Sequence, residues 1–82
     1  MEFREAWERV GTLAGSSFGV EDGGFRYRFK KTYVVTEPGG LSIPRTNFEK
    51  VFRALEAGEE APIVQGRKAV LAILSDSRLL EE

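Results

Sequence analysis

Cationic side chains alternate with aromatic ones along residues 25–30, and these cations are the residues best placed to bind a ligand. Arg26, Arg28 and Lys30 are each separated by one residue, so an extended backbone places them on one side at intervals of about 6.6–7 Å. That interval resembles the spacing of successive phosphates along an extended single strand of nucleic acid. Lysine and arginine bind phosphates through charge, with release of condensed counterions. The spacing therefore predicts a track for a nucleic-acid backbone.

The charge distribution extends this candidate site to other parts of the chain. The net charge is only −1, yet residues 25–53 carry seven basic and two acidic residues, and the segments before and after them are each acidic. Such an asymmetry favours a surface that binds acidic partners. The predicted nucleic-acid-binding residues are Arg26, Arg28, Lys30, Lys31, Arg45, Arg67 and Lys68.

Two other interpretations fit the same pattern. A basic strand face is also a common solvated surface that resists edge-to-edge aggregation. Alternatively, the chain is a protein–protein interaction module or a small homo-oligomer such as a homodimer. A core of this size cannot completely bury one tryptophan, two tyrosines and six phenylalanines, which leaves some of them for an interface. Charge complementarity between the acidic N-terminal helix and the basic hairpin also fits an interface between two copies.

The residue types that are missing exclude several kinds of active site. The chain contains no histidine and no cysteine, so a Ser-His-Asp triad, a Cys-His nucleophile and a zinc site of the usual type are impossible. Asp22, Glu37 and Asp76 lie in predicted loops or helix ends, where acids far more often form turns or caps than metal sites. We predict no catalytic residues, no metal ligands and no cofactor, and hence a binding protein rather than an enzyme.

The composition predicts one folded domain over residues 1–82. A hydrophobic content of 41% and a charged content of 30% are ordinary for such a domain. No apolar run approaches the roughly 18 residues of a membrane span, and the first residues lack the order of a signal peptide. We therefore expect a cytoplasmic protein with no membrane partner, and the lack of cysteine agrees with this. The scarcity of Asn, Gln and Met is compatible with a thermophilic source.

The hydrophobic pattern predicts an α+β fold with an N-terminal helix, a small antiparallel sheet of three to four strands and two C-terminal helices. Apolar residues at helical period predict the first helix over 2–14, with Trp7 in the middle of its buried stripe. Alternation predicts an edge strand over 16–21 and a central strand over 25–30. The Asp-Gly pair within residues 21–24 is typical of the hairpin turn that would join them.

The centre of the chain leaves one alternative open. Residues 33–36 form a strand of their own after a turn at 31–32, or they continue the preceding strand through a bulge. The Glu-Pro-Gly-Gly sequence over residues 37–40 predicts a turn. The last strand is predicted over 41–44, where a proline restricts its end to a sheet edge or an exit.

Two helices are predicted after the sheet. Thr46 followed by Glu49 matches a capping box at the start of a helix that ends at Gly58. The periodicity of residues 67–80 favours a second helix, although the apolar run over 70–74 also fits a buried strand.

Two stretches carry a resemblance to a known group of proteins. The sequence Ile-Pro-Arg-Thr-Asn-Phe-Glu-Lys over residues 43–50 is followed by Gly66 and by Ala-Ile-Leu-Ser-Asp-Ser-Arg-Leu over residues 72–79. Together they resemble a group of small stand-alone prokaryotic domains of unassigned function, with an aromatic β-hairpin and a Ser/Thr-capped helix. The match covers about half of the chain and departs from the group at Lys68, where a serine cap is expected. The resemblance implies a fold, but it implies no ligand and no catalytic residue.

Overall fold

Four helices and four strands are present in residues 1–20 and 23–80, which the computed structural model describes. The strands form one sheet in the order β1-β2-β3-β4, and all neighbours are antiparallel. The predicted α+β fold is thereby confirmed. In chain order the elements are α1 (Phe3–Thr12), β1 (Phe18–Val20), β2 (Gly23–Phe29), β3 (Tyr33–Glu37), β4 (Ser42–Pro44), α2 (Arg45–Glu56), α3 (Arg67–Leu74) and α4 (Ser77–Leu80).

A tight hairpin joins β2 and β3, which answers the question that the sequence left open. The backbone N–H of Lys30 donates to the Tyr33 carbonyl oxygen at 2.9 Å, so residues 31–32 form a two-residue loop. Lys31 has a φ of 65°, the left-handed conformation that such loops require. Residues 25–30 and 33–36 therefore belong to two strands and not to one bulged strand.

The helices cover one face of the sheet, and the core lies between the two layers. Alternate residues of each strand point toward the helices, as the pleat of a strand dictates. The buried residues on this face of the sheet are Phe18, Tyr27, Val34, Thr36 and Ile43. The helices contribute buried residues that include Ala6, Val10, Phe48, Val51, Val70 and Ile73. We call this side of the sheet the covered face.

Trp7 anchors α1 to the end of the hairpin, as its position in the apolar stripe predicts. Only 7% of its surface is exposed, and its ring centre lies 5.0 Å from that of Phe29 and 5.2 Å from that of Phe48. The indole N–H donates to the Lys31 carbonyl oxygen at 2.7 Å. The buried polar atom of the indole is thus satisfied, and the hairpin turn is tied to the helix.

Tyr27 makes a second polar connection between the sheet and α1. Its hydroxyl donates to the carbonyl oxygen of Val10, which lies in the last turn of the helix, where carbonyl groups lack intrahelical partners. The N–H of Gly15 in turn donates to the Tyr27 carbonyl oxygen at 3.1 Å. Burial raises the pKa of the Tyr27 phenol far above its usual range, because the anion would lose its hydration.

The first half of the chain differs from the prediction in its boundaries. Helix α1 is shorter than the predicted span of 2–14, and β1 is shorter than 16–21. Gly23 and Gly24 lie in β2, not in a turn, because they pair with residues of β1. The predicted turn residues Glu21 and Asp22 lie outside the described residues.

The predicted capping box is wrong. Helix α2 begins at Arg45, one residue before Thr46, and its N-cap is Pro44 without a side-chain hydrogen bond. The Arg45 N–H donates instead to the Thr32 carbonyl oxygen at 2.9 Å, so the strand leads directly into the helix. Thr46 therefore lies within the first helical turn, where it cannot act as the N-cap.

The C-terminal segment is helical, as the periodicity of residues 67–80 favoured, but it is divided into α3 and α4. Gly66 precedes α3 with a φ of 76°, and a Cβ at this position would clash with the Ile43 side chain. Between the two helices, Asp76 accepts a hydrogen bond from the Arg78 N–H at 2.9 Å, which explains the break at this residue. In the described part of the chain no helix combines the length and apolar character needed to cross a membrane.

Candidate nucleic-acid interface

The other side of the sheet carries the cations of the predicted track. The strand register places Arg26 opposite Glu37 and Arg28 opposite Val35, and the hairpin hydrogen bond places Lys30 opposite Tyr33. Directly opposed residues of an antiparallel pair share one face of the sheet. We call this side the open face. Its residues on β2, β3, β4 and the adjoining hairpin are Arg26, Arg28, Lys30, Tyr33, Val35, Glu37, Ser42 and Pro44, and all are exposed except the half-buried Val35.

The structure thus confirms that Arg26 and Arg28 on β2 and Lys30 directly after it share one solvent-exposed side of the sheet. Every second residue of an extended backbone repeats at intervals of about 6.6–7 Å. These cations are anchored by a backbone whose alternate residues, such as Tyr27, are fixed in the core. The spacing of the charges is therefore set by the sheet and not by flexible loops.

One carboxylate interrupts the positive charge at one end of the open face. Glu37 Oε1 lies 3.7 Å from Arg28 Nε, and both side chains are more than half exposed. Glu37 also lies directly opposite Arg26. Among the described residues, no acidic group lies within ion-pair distance of Lys30. The open face is consequently most positive at the end where Lys30 lies beside Tyr33.

Lys31 and Arg45 lie around the tip of the hairpin. They border a groove of about 480 Å³ that is also lined by Trp7, Phe29, Thr32 and the acidic Glu8. The Lys31 side chain is exposed next to Lys30 in the chain, so it extends the positive end of the open face. Arg45 is half-buried, and its guanidinium lies 5.0 Å from the ring centre of Phe3 and 6.0 Å from that of Trp7. Its guanidinium therefore packs against aromatic residues of α1.

Arg67 and Lys68 belong to a different part of the surface. They line a largely apolar groove of about 400 Å³ with Phe25 and Thr36, whose side chains are on the covered face. Arg67 Nε donates to the Ala61 carbonyl oxygen at 3.2 Å, and the guanidinium lies 3.9 Å from Glu60. The structure therefore does not bring these two cations together with those of β2.

Tyr33 is a residue of the open face that the sequence interpretation missed. It is 38% exposed, whereas the aromatic residues of β2 point toward the core. The signal in the sequence was the buried pair Val34 and Thr36, whose alternation leaves Tyr33 on the opposite side. That inference required the two-residue loop, because a bulged strand would have changed which face each residue occupies.

Two of the three acidic residues that were weighed as catalytic or metal-binding groups, Glu37 and Asp76, are engaged in ion pairs. Glu37 contacts Arg28 as described above. Asp76 forms two hydrogen bonds with the Arg78 guanidinium, at 2.9 and 3.0 Å, which hold the pKa of this carboxyl below its usual range. Asp22 lies outside the described residues. Within the described ranges, no three residues of the types His, Cys, Asp and Glu converge on a common metal position.

Comparison with known proteins gives no further guidance on this surface. The sequence matches no protein-family model, and neither a curated protein nor a solved structure matches it. The resemblance to small prokaryotic domains therefore stays a prediction.

Proposed function

We propose that this protein binds single-stranded nucleic acid through the open face of its sheet. The observation that carries the proposal is the row of Arg26, Arg28 and Lys30 at strand spacing on a face that none of the described helices covers. Each of these side chains contacts one phosphate, and Lys31 extends the row at the hairpin tip. Phosphate contacts fix the position of a strand without reading its sequence, so little base preference is expected. Like the prediction made from the sequence, the proposal places the protein in the cytoplasm and assigns it no catalysis and no cofactor.

The test is a salt titration of binding to a single-stranded oligonucleotide, with wild type compared to R26Q/R28Q/K30Q. The logarithm of affinity falls with the logarithm of salt by about 0.7 per phosphate contact for single strands. Loss of three contacts should therefore flatten the slope by about two. The matched control is R4Q/K50Q/R53Q, which removes the same charge from exposed positions of α1 and α2. The control should keep most of the wild-type slope.

Two outcomes contradict the proposal. If wild type does not bind at low salt, the basic face is a solvated surface or a protein contact. If the control flattens the slope as much as the strand variant, binding depends on overall charge and not on this face.

The alternative function, a protein interaction module or homodimer, is favoured by one observation. Ile63 is 95% exposed in the loop between α2 and α3, and contact with a second protein would remove this large apolar side chain from water. Sedimentation of the same wild-type samples at several concentrations separates the two functions. A concentration-dependent dimer without oligonucleotide binding supports the alternative.

A further inference from the structure

We infer that Tyr33 provides a stacking platform for one unpaired base, while Lys30 and Lys31 hold the adjacent phosphate. The inference rests on the proposed function and deepens it, because it names the part of the ligand that each residue recognises. It also specifies the ligand class as a strand with unpaired bases, since bases within a duplex are already stacked and paired.

The first argument is the exposure of the Tyr33 ring. Within the described part of the chain its hydroxyl has no hydrogen-bond partner and its ring has no aromatic neighbour. Tyr27, on the neighbouring strand, is 1% exposed and bonded to a helix carbonyl. Tyr33 is 38% exposed on the open face, so part of its ring is accessible to a ligand.

The second argument is the set of residues beside the ring. Tyr33 lies opposite Lys30 on one side and opposite Pro44 on the other. Directly opposed side chains have Cβ atoms about 4.5–5.5 Å apart. Val35, two residues further along β3, shares the same face. Pro44 and Val35 give the ring apolar neighbours, and Lys30 places a positive charge within one nucleotide of it.

The third argument is the direction of the electrostatic gradient. Glu37 lies at the opposite end of β3 and pairs with Arg28, so the end that holds Tyr33 is the more positive one. A polyanionic strand is attracted most strongly to this end. Base–aromatic stacking together with cationic contacts is the usual basis of binding to single strands, and it tolerates any base sequence.

The experiment compares an oligothymidylate of about twelve nucleotides with an abasic strand of the same length and charge. We expect wild type to bind the oligothymidylate about 5- to 150-fold more tightly than the abasic strand, the range measured for loss of one stacked base. Tyr33→Ser should lose that difference, because it removes the platform. Tyr33→Phe should retain it, since the hydroxyl has no role in stacking.

The salt dependence supplies a second readout. Stacking involves no change in the number of phosphate contacts, so Tyr33→Ser should shift the salt titration to weaker binding without changing its slope. The charge variant R26Q/R28Q/K30Q should change the slope. A purely structural role of Tyr33 would weaken binding to both strands equally.

The outcomes separate this inference from the proposed function. If wild type binds both strands with equal affinity and a steep salt slope, the base platform is wrong and the phosphate track stands. The same conclusion follows if Tyr33→Ser retains the difference between the two strands. If wild type binds neither strand, both proposals are wrong. The comparison of the oligothymidylate with the abasic strand uses wild type alone. It therefore tests for base stacking even if Tyr33→Ser fails to fold.

Discussion

The two tyrosines of the chain show how differently the two faces of one hairpin are used. Tyr27 on β2 points into the covered face, is 1% exposed and donates its hydroxyl to the end of α1. Tyr33 on β3 points to the open face and is 38% exposed. One side of the hairpin uses its aromatic residues to join layers, and the other side presents cations and a single ring to solvent.

Stability and binding therefore depend on different residues of the same strands, because alternate residues face the core and the solvent. Substitutions on the covered face should change the free energy of unfolding, because these side chains fill the core. Substitutions on the open face should change affinity with little effect on folding, because exposed positions contribute little to stability. Adjacent residues of the same strand therefore provide matched tests of the two roles.

The largest effect is expected from Val34→Ala, compared with the identical change at Val35. Val34 is completely buried on the covered face, whereas Val35 is half-buried on the open face. Loss of two buried methyl groups should cost Val34→Ala about 2 kcal/mol or more, and Val35→Ala should cost less than about 1 kcal/mol. Urea unfolding followed by the fluorescence of Trp7 measures both. Equal losses would contradict the distinction between the faces.

The sequence predicted the parts of this arrangement that depend on local periodicity. Alternation along β2 placed Tyr27 inside and the three strand cations outside, and helical period placed Trp7 in the core. These predictions succeeded because one buried face forces a strict two-residue or 3.6-residue repeat. Such a repeat identifies the residues that face the core, even where it does not locate the ends of the helices and strands.

The parts that failed depend on contacts between distant segments. The helix start was misplaced at Thr46 because the hydrogen bond from Arg45 to Thr32 is invisible to a capping rule. The packing of the Arg45 guanidinium against Phe3 could likewise not be read from the charge pattern. Lys68 is near the covered face only because α3 packs behind the sheet. No local sequence pattern encodes such contacts between distant segments.

An intermediate effect is expected from Tyr27→Phe on the covered face. At neutral pH this variant should be less stable than wild type by about 1 kcal/mol, because the hydrogen bond to the Val10 carbonyl is lost. Burial raises the pKa of Tyr27 in the folded protein well above its ordinary value, which is about 10. Its contribution to stability is therefore complete below pH 10 and is lost as the pH rises further, because the unfolded chain ionises first.

The advantage of wild type over Tyr27→Phe should accordingly shrink above pH 10. Other groups titrate in both proteins, so the difference between their unfolding free energies isolates Tyr27. Urea unfolding at pH 7 and at several values above 10 provides the measurement. A difference that stays constant across this range would mean that the phenol is not held neutral by burial.

The smallest effect, and the sharpest test of the open face, is expected from Glu37→Gln. The Arg28–Glu37 pair is solvent-exposed at 3.7 Å, and such pairs contribute only about 0.2–1 kcal/mol, so stability should hardly change. Removal of the carboxylate frees Arg28 for phosphate, and affinity for a single strand should rise up to about five-fold at low salt. The gain should disappear at high salt, where exposed charges are screened. If the open face is only a solvated surface, no gain in affinity is expected.

Glu49→Gln is the matched control, because the half-buried Glu49 forms an ion pair with the exposed Arg53 on α2, at 2.8 Å. Both variants change the net charge by the same amount, so long-range attraction of the oligonucleotide rises equally in both. Only Glu37 lies on the open face, opposite Arg26 and against Arg28. A larger gain for Glu37→Gln than for Glu49→Gln therefore assigns the effect to this face. Equal gains would mean that the oligonucleotide responds to the total charge of the protein, and the assignment of binding to the strand cations would be wrong.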